Sequence, residues 1–412
     1  MTCAILTIGT ELTRGELVNG NAAWLSERLT ELGFEVDEHA VVPDERARVI
    51  GALTRMAAAF DLVLVTGGLG PTTDDLTTEC AAAALGVGLV RDEASMAHMR
   101  ARFTRLGREM SQTNEKQADF PEGADVLPNP VGTAAGFSVV LAGCRFFFMP
   151  GVPREMERMF EAEITPRIRA LAAADTHQIS LRTFGMGESA IGERLDGIEA
   201  SHPGVTLGYR AHFPEVEVKV HAHAEGPAEA RLRAETAAAE VRERLGDAVW
   251  GEGRDPFAAV VARAFVDRRL TLALAESCTG GLVSHLLTRA AGASEYFLAG
   301  AVTYANSAKT TFAGVSPGTL AAHGAVSPEV AREMAEGVRL RAGADVGLAI
   351  TGVAGPGGGS VEKPVGTVYL AVSTARETRV VHRFFAHDRE HVQAYAAHCG
   401  LELLRRAAAE LT

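Results

Sequence analysis

A serine hydroxyl attacks an amide only when a base takes its proton, and one stretch of this chain pairs the two. Residues 275–281 (AESCTGG) place Ser277 after an apolar run that reads as a buried strand, with two glycines opening a helix behind it. Downstream, residues 302–309 (VTYANSAK) put Tyr304 at the end of another predicted strand and Lys309 on the first turn of a helix. A helix N-terminus offers free N–H groups and a favourable dipole to a developing oxyanion. A lysine that gives up its proton supplies the base, with the Tyr304 hydroxyl as relay. The 40 basic residues comprise 36 Arg and only four Lys, at 116, 219, 309 and 363. A retained Lys suits a task closed to Arg, which never deprotonates. The plainer reading makes Ser277 a helix cap, Tyr304 a core residue and Lys309 a solvated charge. Cys278 sits beside the same N-terminus, where thiols become reactive, but the motif has no His to pair with it.

A second chemistry is written in residues 66–77 (TGGLGPTTDDLT), which follow a continuous apolar strand. Glycines there let backbone N–H groups approach a phosphate, and Asp74 and Asp75 either hold a divalent cation against it or cap the next helix. Residues 129–137 (NPVGTAAGF) combine turn formers with hydroxyl and amide donors, as a nucleotide or pterin pocket needs. Residues 150–153 (PGVP) open a helix that presents N–H groups to an anion. Residues 350–359 (ITGVAGPGGG) again follow a strand and suit close approach to a ribose phosphate. His221 and His223 alternate on a strand and share one face, but no third metal ligand accompanies them.

These loops need strands and helices to hold them. Residues 3–8, 34–41 and 61–66 read as buried strands alternating with helices over 21–32 and 44–59, a pattern of parallel sheet covered on both faces. A hairpin is expected over 137–141 and 145–149, and an amphipathic helix over 153–171. Residues 178–245 change to a small α+β pattern, and the Gly- and acid-rich run 246–256 reads as a linker. Strands over 270–275, 299–304, 346–351, 367–373 and 379–385 then alternate with helices over 279–289 and 328–341, before a terminal helix over 387–409. The fold class is therefore α/β: two doubly wound α/β domains, residues 1–172 and 251–412, joined by an α+β module at 173–250. A chain of 412 residues is long enough for several cores. The net charge of −12 argues against a nucleic-acid binder. No run is apolar enough for a membrane span or a secretory signal. Five scattered cysteines fit reduced thiols in a cytoplasmic protein.

Taken in order, Gly9-Thr10-Glu11-Leu12 with Gly15 and Asn19, the TGGLGPTTDD loop, Asn114–Gln117 with Pro121 and Gly123, NPVGTAAGF and PGVP resemble the molybdopterin-binding-like domain of the CinA (competence/damage-inducible protein A) family. AESCTGG, VTYANSAK and ITGVAGPGGG resemble its C-terminal domain, which also occurs as a free-standing nicotinamide mononucleotide amidohydrolase. The resemblance implies that the first domain hydrolyses ADP-ribose to AMP and ribose 5-phosphate. Glu11, Asn19, Gly67, Gly68, Gly70, Thr72, Asn129, Gly132 and Thr133 would bind that substrate, and Asp74 and Asp75 a divalent cation such as Mg2+. For the last domain it implies a metal-free deamidation of nicotinamide mononucleotide. Ser277 would be the nucleophile, Tyr304 and Lys309 its partners. Glu276, Thr279, Gly280, Thr351, Gly352 and Gly355 would be substrate contacts, and Arg389 the phosphate ligand. It further implies a homodimer with no nucleic-acid or membrane partner. Two departures stand out: Ala135 replaces the usual Pro, and His387-Asp388-Arg389 replaces Gly-Asp-Arg. Two other functions remain open, a molybdenum-cofactor-related nucleotide-binding protein and a competence or DNA-damage factor acting through protein partners.

Overall fold

The computed structural model describes residues 1–171 and 175–411, so the expected boundary at 172/173 lies outside the described residues. Two compact units emerge, residues 1–178 with 222–233, and residues 179–221 with 234–412.

In the first unit, strands Cys3–Ile8 and Leu62–Thr66 are buried along their full length. Residues so apolar on both faces require helices on both sides of the sheet. The sheet has six strands, and Val36–Val42, Cys3–Ile8, Leu62–Thr66 and Cys144–Met149 run parallel in that order. Gly136–Leu141 and Asp125–Leu127 extend it antiparallel, so the parallel sheet read from the leading strands becomes mixed at this edge. The expected hairpin is the cause, because a two-residue turn reverses direction and a parallel return needs a crossover. Phe137 stacks on Phe148 across that hairpin, ring centroids 4.4 Å apart. The helix expected over 153–171 runs from Pro153 to Met159, widens to a π-turn over Phe160–Ile164, and resumes as a short turn at Thr165–Ile168. Pro166 lacks the N–H that a continuous α-helix uses.

In the second unit, Leu272–Glu276 is the second of five strands and is fully buried. Phe297–Val302 and Val346–Gly352 flank it in parallel, and Thr367–Ser373 and Thr378–Phe384 follow antiparallel. The terminal helix Arg389–Glu410 and the helix Phe257–Asp267 pack on one face, and Pro328–Ala342 on the other. A four-stranded sheet holds Val205–His212, Glu215–Ala224, Asp175–Phe184 and Val249–Glu252 in that order. The last of these corrects the linker expected over 246–256. Val249–Glu252 pairs antiparallel with Asp175–Phe184, and Trp250 is buried against Phe257 at 4.4 Å. A single large indole buries enough apolar surface to fix a strand in an otherwise turn-forming run. Within this module the helix Glu188–Arg194 is separated from Ile198–Ser201 at Gly197, with φ +82°.

Helix Pro328–Ala342 approaches helix Asn306–Ala313, which carries Lys309, through Gly337. A Cβ there would meet the Ala313 carbonyl oxygen at 1.7 Å. Gly337→Ala is expected to destabilise the fold by ~1–3 kcal/mol through overpacking. Gly192→Ala, at a helical glycine with open space around it, should instead be neutral or stabilising. Denaturation midpoints of both variants against the parent chain check the contrast.

Candidate functional site

The best-defined chemistry lies at the C-terminal end of strand Leu272–Glu276 of the second unit, where α/β sheets bind ligands. Strand Leu272–Glu276 delivers Ser277, whose N–H continues the sheet by donating to the Ile350 carbonyl at 2.9 Å. Lys309 Nζ lies 3.0 Å from Ser277 Oγ, 2.7 Å from the Thr303 carbonyl and 3.3 Å from the Tyr304 carbonyl. Lys309 is only 1% exposed and Ser277 8%. Burial pushes the Lys309 pKa below its ordinary value. A neutral amine has two N–H groups and a lone pair. The two carbonyls can take the N–H groups, which leaves the lone pair for the Ser277 hydroxyl.

Glu276 has a different job from the substrate contact expected of it. It is 1% exposed, and both its oxygens are spent inside the protein. One accepts from the Thr279 hydroxyl at 2.7 Å and the Val283 N–H at 3.1 Å; the other accepts from the Ser284 N–H and hydroxyl at 2.8 and 2.6 Å. A carboxylate at this position satisfies helix donors and complements the dipole. The helix itself begins at Leu282, three residues later than expected, after Gly281 in the left-handed region. The helix end that sequence reasoning gave to an oxyanion is thus claimed by Glu276. The N–H groups of Cys278 and Thr279 face the same turn and carry no backbone acceptor among the described residues.

Tyr304 also differs from expectation. Its hydroxyl accepts from Arg389 at 2.9 Å, while the dyad touches only its carbonyl, so no hydrogen bond places the hydroxyl as a relay between Ser277 and Lys309. Arg389 donates as well to the Gly355 carbonyl at 2.7 Å, tying the terminal helix to the Gly-rich loop and to the dyad strand's rim. The Thr351 hydroxyl is turned inward onto the Ala325 carbonyl at 2.8 Å. Gly352 and Gly355 serve internal packing: a Cβ would meet the Thr367 carbonyl oxygen at 2.7 Å or Val365 at 2.5 Å. Gly280 alone of the glycines assigned to ligands has open space beside it. Cys278 is buried, and burial pushes its thiol up to about 12, which removes it as a nucleophile. Gln393, which the sequence did not mark, holds this turn by donating to the Cys278 carbonyl at 2.8 Å.

A second constellation forms at the strand ends of the first unit. Asn21 Nδ2 donates to Thr66 Oγ1 at 3.2 Å and to the Gly151 carbonyl at 2.8 Å, while Thr66 donates to the Pro150 carbonyl. The TGGLG and PGVP loops are thereby stitched together by a residue two positions after the expected Asn19. Asn19 itself caps helix Gly20–Glu31, accepting from the Ala22 N–H and donating to Thr7. Glu11 folds over Gly9, within 2.5 Å of where a Cβ would stand. The space at Gly67, Gly68 and Gly70 is filled by Ile8, Thr77 and Asp75 of the protein itself. These glycines therefore allow the loop to close on itself. Asn129 is likewise consumed internally, accepting from the Val131 and Gly132 N–H groups and donating to Ala134 and Glu155. A Cβ on Gly132 would strike that same Glu155, and Thr133 is half-buried on the loop.

Asp75 Oδ2 accepts from the Thr72 N–H at 2.9 Å and from its hydroxyl, the plainer reading of this carboxylate as a loop cap. Asp74 is exposed, and the nearby Thr72 side chain and its own backbone N–H hold it below the usual carboxylate range. Lys116 braces the loop by donating to the Thr72 and Asp75 carbonyls, and Gln117 donates to Leu69. A cavity of about 80 Å³ lies between Gly70, Asp75, Lys116, Gln117 and Ala135. No cluster of three or more His, Cys, Asp or Glu is assembled among the described residues. One free carboxylate beside one partly engaged fits a cation that arrives on a diphosphate, since Mg2+ is commonly held by one or two carboxylates and the substrate's phosphates.

With both sites in view, the chain was compared with known proteins. Residues 4–170 match the "Probable molybdopterin binding domain" model, 178–251 the "Damage-inducible protein CinA KH domain" model and 254–408 the "CinA C-terminal domain" model. A CinA-like protein of Geobacter sulfurreducens is 46% identical over 98% of this chain and 99% of its own length. The chain belongs to the CinA family. Another CinA-like protein, from Anaeromyxobacter dehalogenans, is 44% identical over 99% of this chain and 100% of its own. Among solved structures, the competence/damage inducible protein CihA from Agrobacterium tumefaciens covers 37% of this chain and 93% of its own at 39% identity, with a TM-score of 0.36. No described helix of this CinA family member is long and apolar enough to cross a membrane.

The depressed Lys309 pKa carries a stability signature. Between its folded value and the unfolded value of about 10.4 the unfolded chain binds more protons, so stability rises with pH there. The unfolding free energy of the parent chain minus that of Lys309→Met should therefore climb as pH increases toward that limit and level off above it. A difference that stays flat with pH would show Lys309 to be unshifted.

Proposed function

We propose that this CinA family member is a two-site hydrolase of pyridine-nucleotide breakdown products. The second unit would deamidate nicotinamide mononucleotide to nicotinate mononucleotide and ammonia, and the first would cleave ADP-ribose to AMP and ribose 5-phosphate. The observation that carries the first activity is a buried lysine with a depressed pKa, 3.0 Å from a serine hydroxyl.

Neutral Lys309 takes the Ser277 proton as Oγ bonds to the carboxamide carbon, and the N–H groups of Cys278 and Thr279 receive the oxyanion. The tetrahedral centre collapses, the C–N bond breaks, and Lys309 returns the proton to the departing ammonia. Water then attacks the ester, Lys309 takes its proton, and that proton returns to Ser277 Oγ as the nicotinate carboxylate forms. Arg389, held by Tyr304 and Gly355, lies at the rim, where it can clasp the 5′-phosphate bidentately. No step in this half requires a metal.

In the first unit Asp74 and Asp75 would hold a divalent cation, which neutralises diphosphate charge and polarises the P–O bond when bound. The chain's own contribution is a rigid loop. Thr72 fixes Asp75, Lys116 fixes the loop carbonyls, and Asp74 stays ionised and exposed. The expected homodimer and cytoplasmic setting belong to the same proposal.

Lys309→Arg and Ser277→Ala should each lower nicotinamide mononucleotide turnover by ~10²–10⁴-fold. Cys278→Ala should remain active. Tyr304→Phe should raise KM more than it lowers kcat, because it frees Arg389 and leaves the dyad intact. Near-normal turnover in Lys309→Arg would sink the assignment. For the first unit, Asp74→Asn and excess chelator should both abolish ADP-ribose cleavage while deamidation continues. Cleavage that survives both treatments rules the cation out.

A further inference from the structure

A cavity of about 850 Å³ touches neither constellation above. It lies wholly within the second unit, lined on one side by edge strand Thr378–Phe384 and on another by the terminal helix. Its volume falls in the range of small-molecule sites. The terminal helix faces two ways. Arg389 reaches the Gly-rich loop and Gln393 the Ser277 turn, whereas Tyr395, Cys399, Glu402 and Arg406 line the cavity at helical spacing.

The lining combines rings with an unusual charge balance. Tyr395 stacks on Phe385 with centroids 5.2 Å apart, and Phe213 meets Tyr395 edge-on at 4.9 Å. Most wall charges cancel locally. Glu215 is held by Arg182 and His398, Glu402 by Arg405 and Arg406, Asp247 by Arg406, and Arg379 by Glu377 and Glu410. Arg383 has no carboxylate partner among the described residues; its guanidinium donates only to the His382 carbonyl and toward the Cys399 thiol. Glu188, on the first turn of its helix, has no cation partner there either. One free guanidinium, one free carboxylate and an aromatic wall match a phosphate, a sugar diol and a planar base in turn.

We propose that this cavity binds a mononucleotide, with Arg383 on the phosphate, Glu188 accepting from the ribose hydroxyls, and Phe213, Phe385 and Tyr395 against the base. The site is independent of the amidase dyad. It also abuts the start of the helix that carries Arg389, since Phe213 packs on His391 at 4.4 Å and His391 is bound by the helix-capping Asp388.

Cys399 supplies a local readout, because it lines the cavity and is the one cysteine of five that is not buried. Burial raises its thiol to about 11, so maleimide labelling of the full chain would be followed at mildly alkaline pH. AMP is the probe, with adenosine and ribose 5-phosphate as its two halves. AMP should slow Cys399 labelling saturably, and each half should need a far higher concentration. Arg383→Glu should raise the half-protecting AMP concentration about 10- to 100-fold, with Arg383→Lys in between. Arg389→Ala, at the dyad rim, should leave protection unchanged. Absence of protection, equal protection by ribose 5-phosphate, or loss of protection in Arg389→Ala but not in Arg383→Glu would each overturn the proposal. Leu403→Trp, which fills the cavity without touching its charges, should remove protection too, and keeps the test decisive if Arg383→Glu fails to fold.

Discussion

Everything in the candidate amidase site follows from burying one lysine amine away from bulk water. Lys309 is buried with no carboxylate beside it, and its neighbours are a serine hydroxyl and two backbone carbonyls. Desolvation disfavours the charged form, and these partners suit a neutral amine as well as a charged one. A carboxylate at the same spot would have restored the ordinary pKa and silenced the base. The acid next to Ser277 in the chain, Glu276, avoids this by spending both oxygens on the helix that begins at Leu282.

That use of Glu276 has consequences for the rest of the turn. With the helix terminus satisfied, the segment from Ser277 to Gly281 is free to leave helical geometry. Gly280 and Gly281 adopt positive φ, at +65° and +100°. The chain thereby turns sharply at the strand end, with Ser277 buried against Lys309. Gln393 of the terminal helix pins the Cys278 carbonyl, and Arg389 of the same helix reaches Tyr304 and Gly355. One helix thus fixes the serine turn, the tyrosine strand and the Gly-rich loop relative to one another.

The first unit solves a similar positioning problem with neutral amides. Asn21 joins the ends of two parallel strands, Asn129 folds its own loop, and Lys116 clamps the carbonyls around Asp75. Loops so thoroughly self-bonded lose little further entropy on meeting a ligand. Such preorganisation is what a site must have if it is to hold a diphosphate and a cation together.

The amino-acid pattern by itself determined the α/β class, most strands, and the identity of the dyad. Buried parallel strands are written as unbroken apolar runs, and a lysine kept in an arginine-rich chain is conspicuous. Lys116 was conspicuous for the same reason, yet its role is to brace a loop. What sequence could not supply was where each side chain points. Glu276, Asn129 and Thr351 have the chemistry of ligand contacts, but their hydrogen bonds run inward, some to neighbours in sequence and others, such as Thr351 to Ala325, to groups 26 positions away. The Tyr304 hydroxyl was read as a relay because it lies near Lys309 in the chain, and a residue 85 positions away captures it instead. The Trp250 strand was hidden in a Gly-rich run because its stability comes from Phe257 and a distant strand. Residue type fixes what a group can do; only packing across long sequence separations decides which partner it meets.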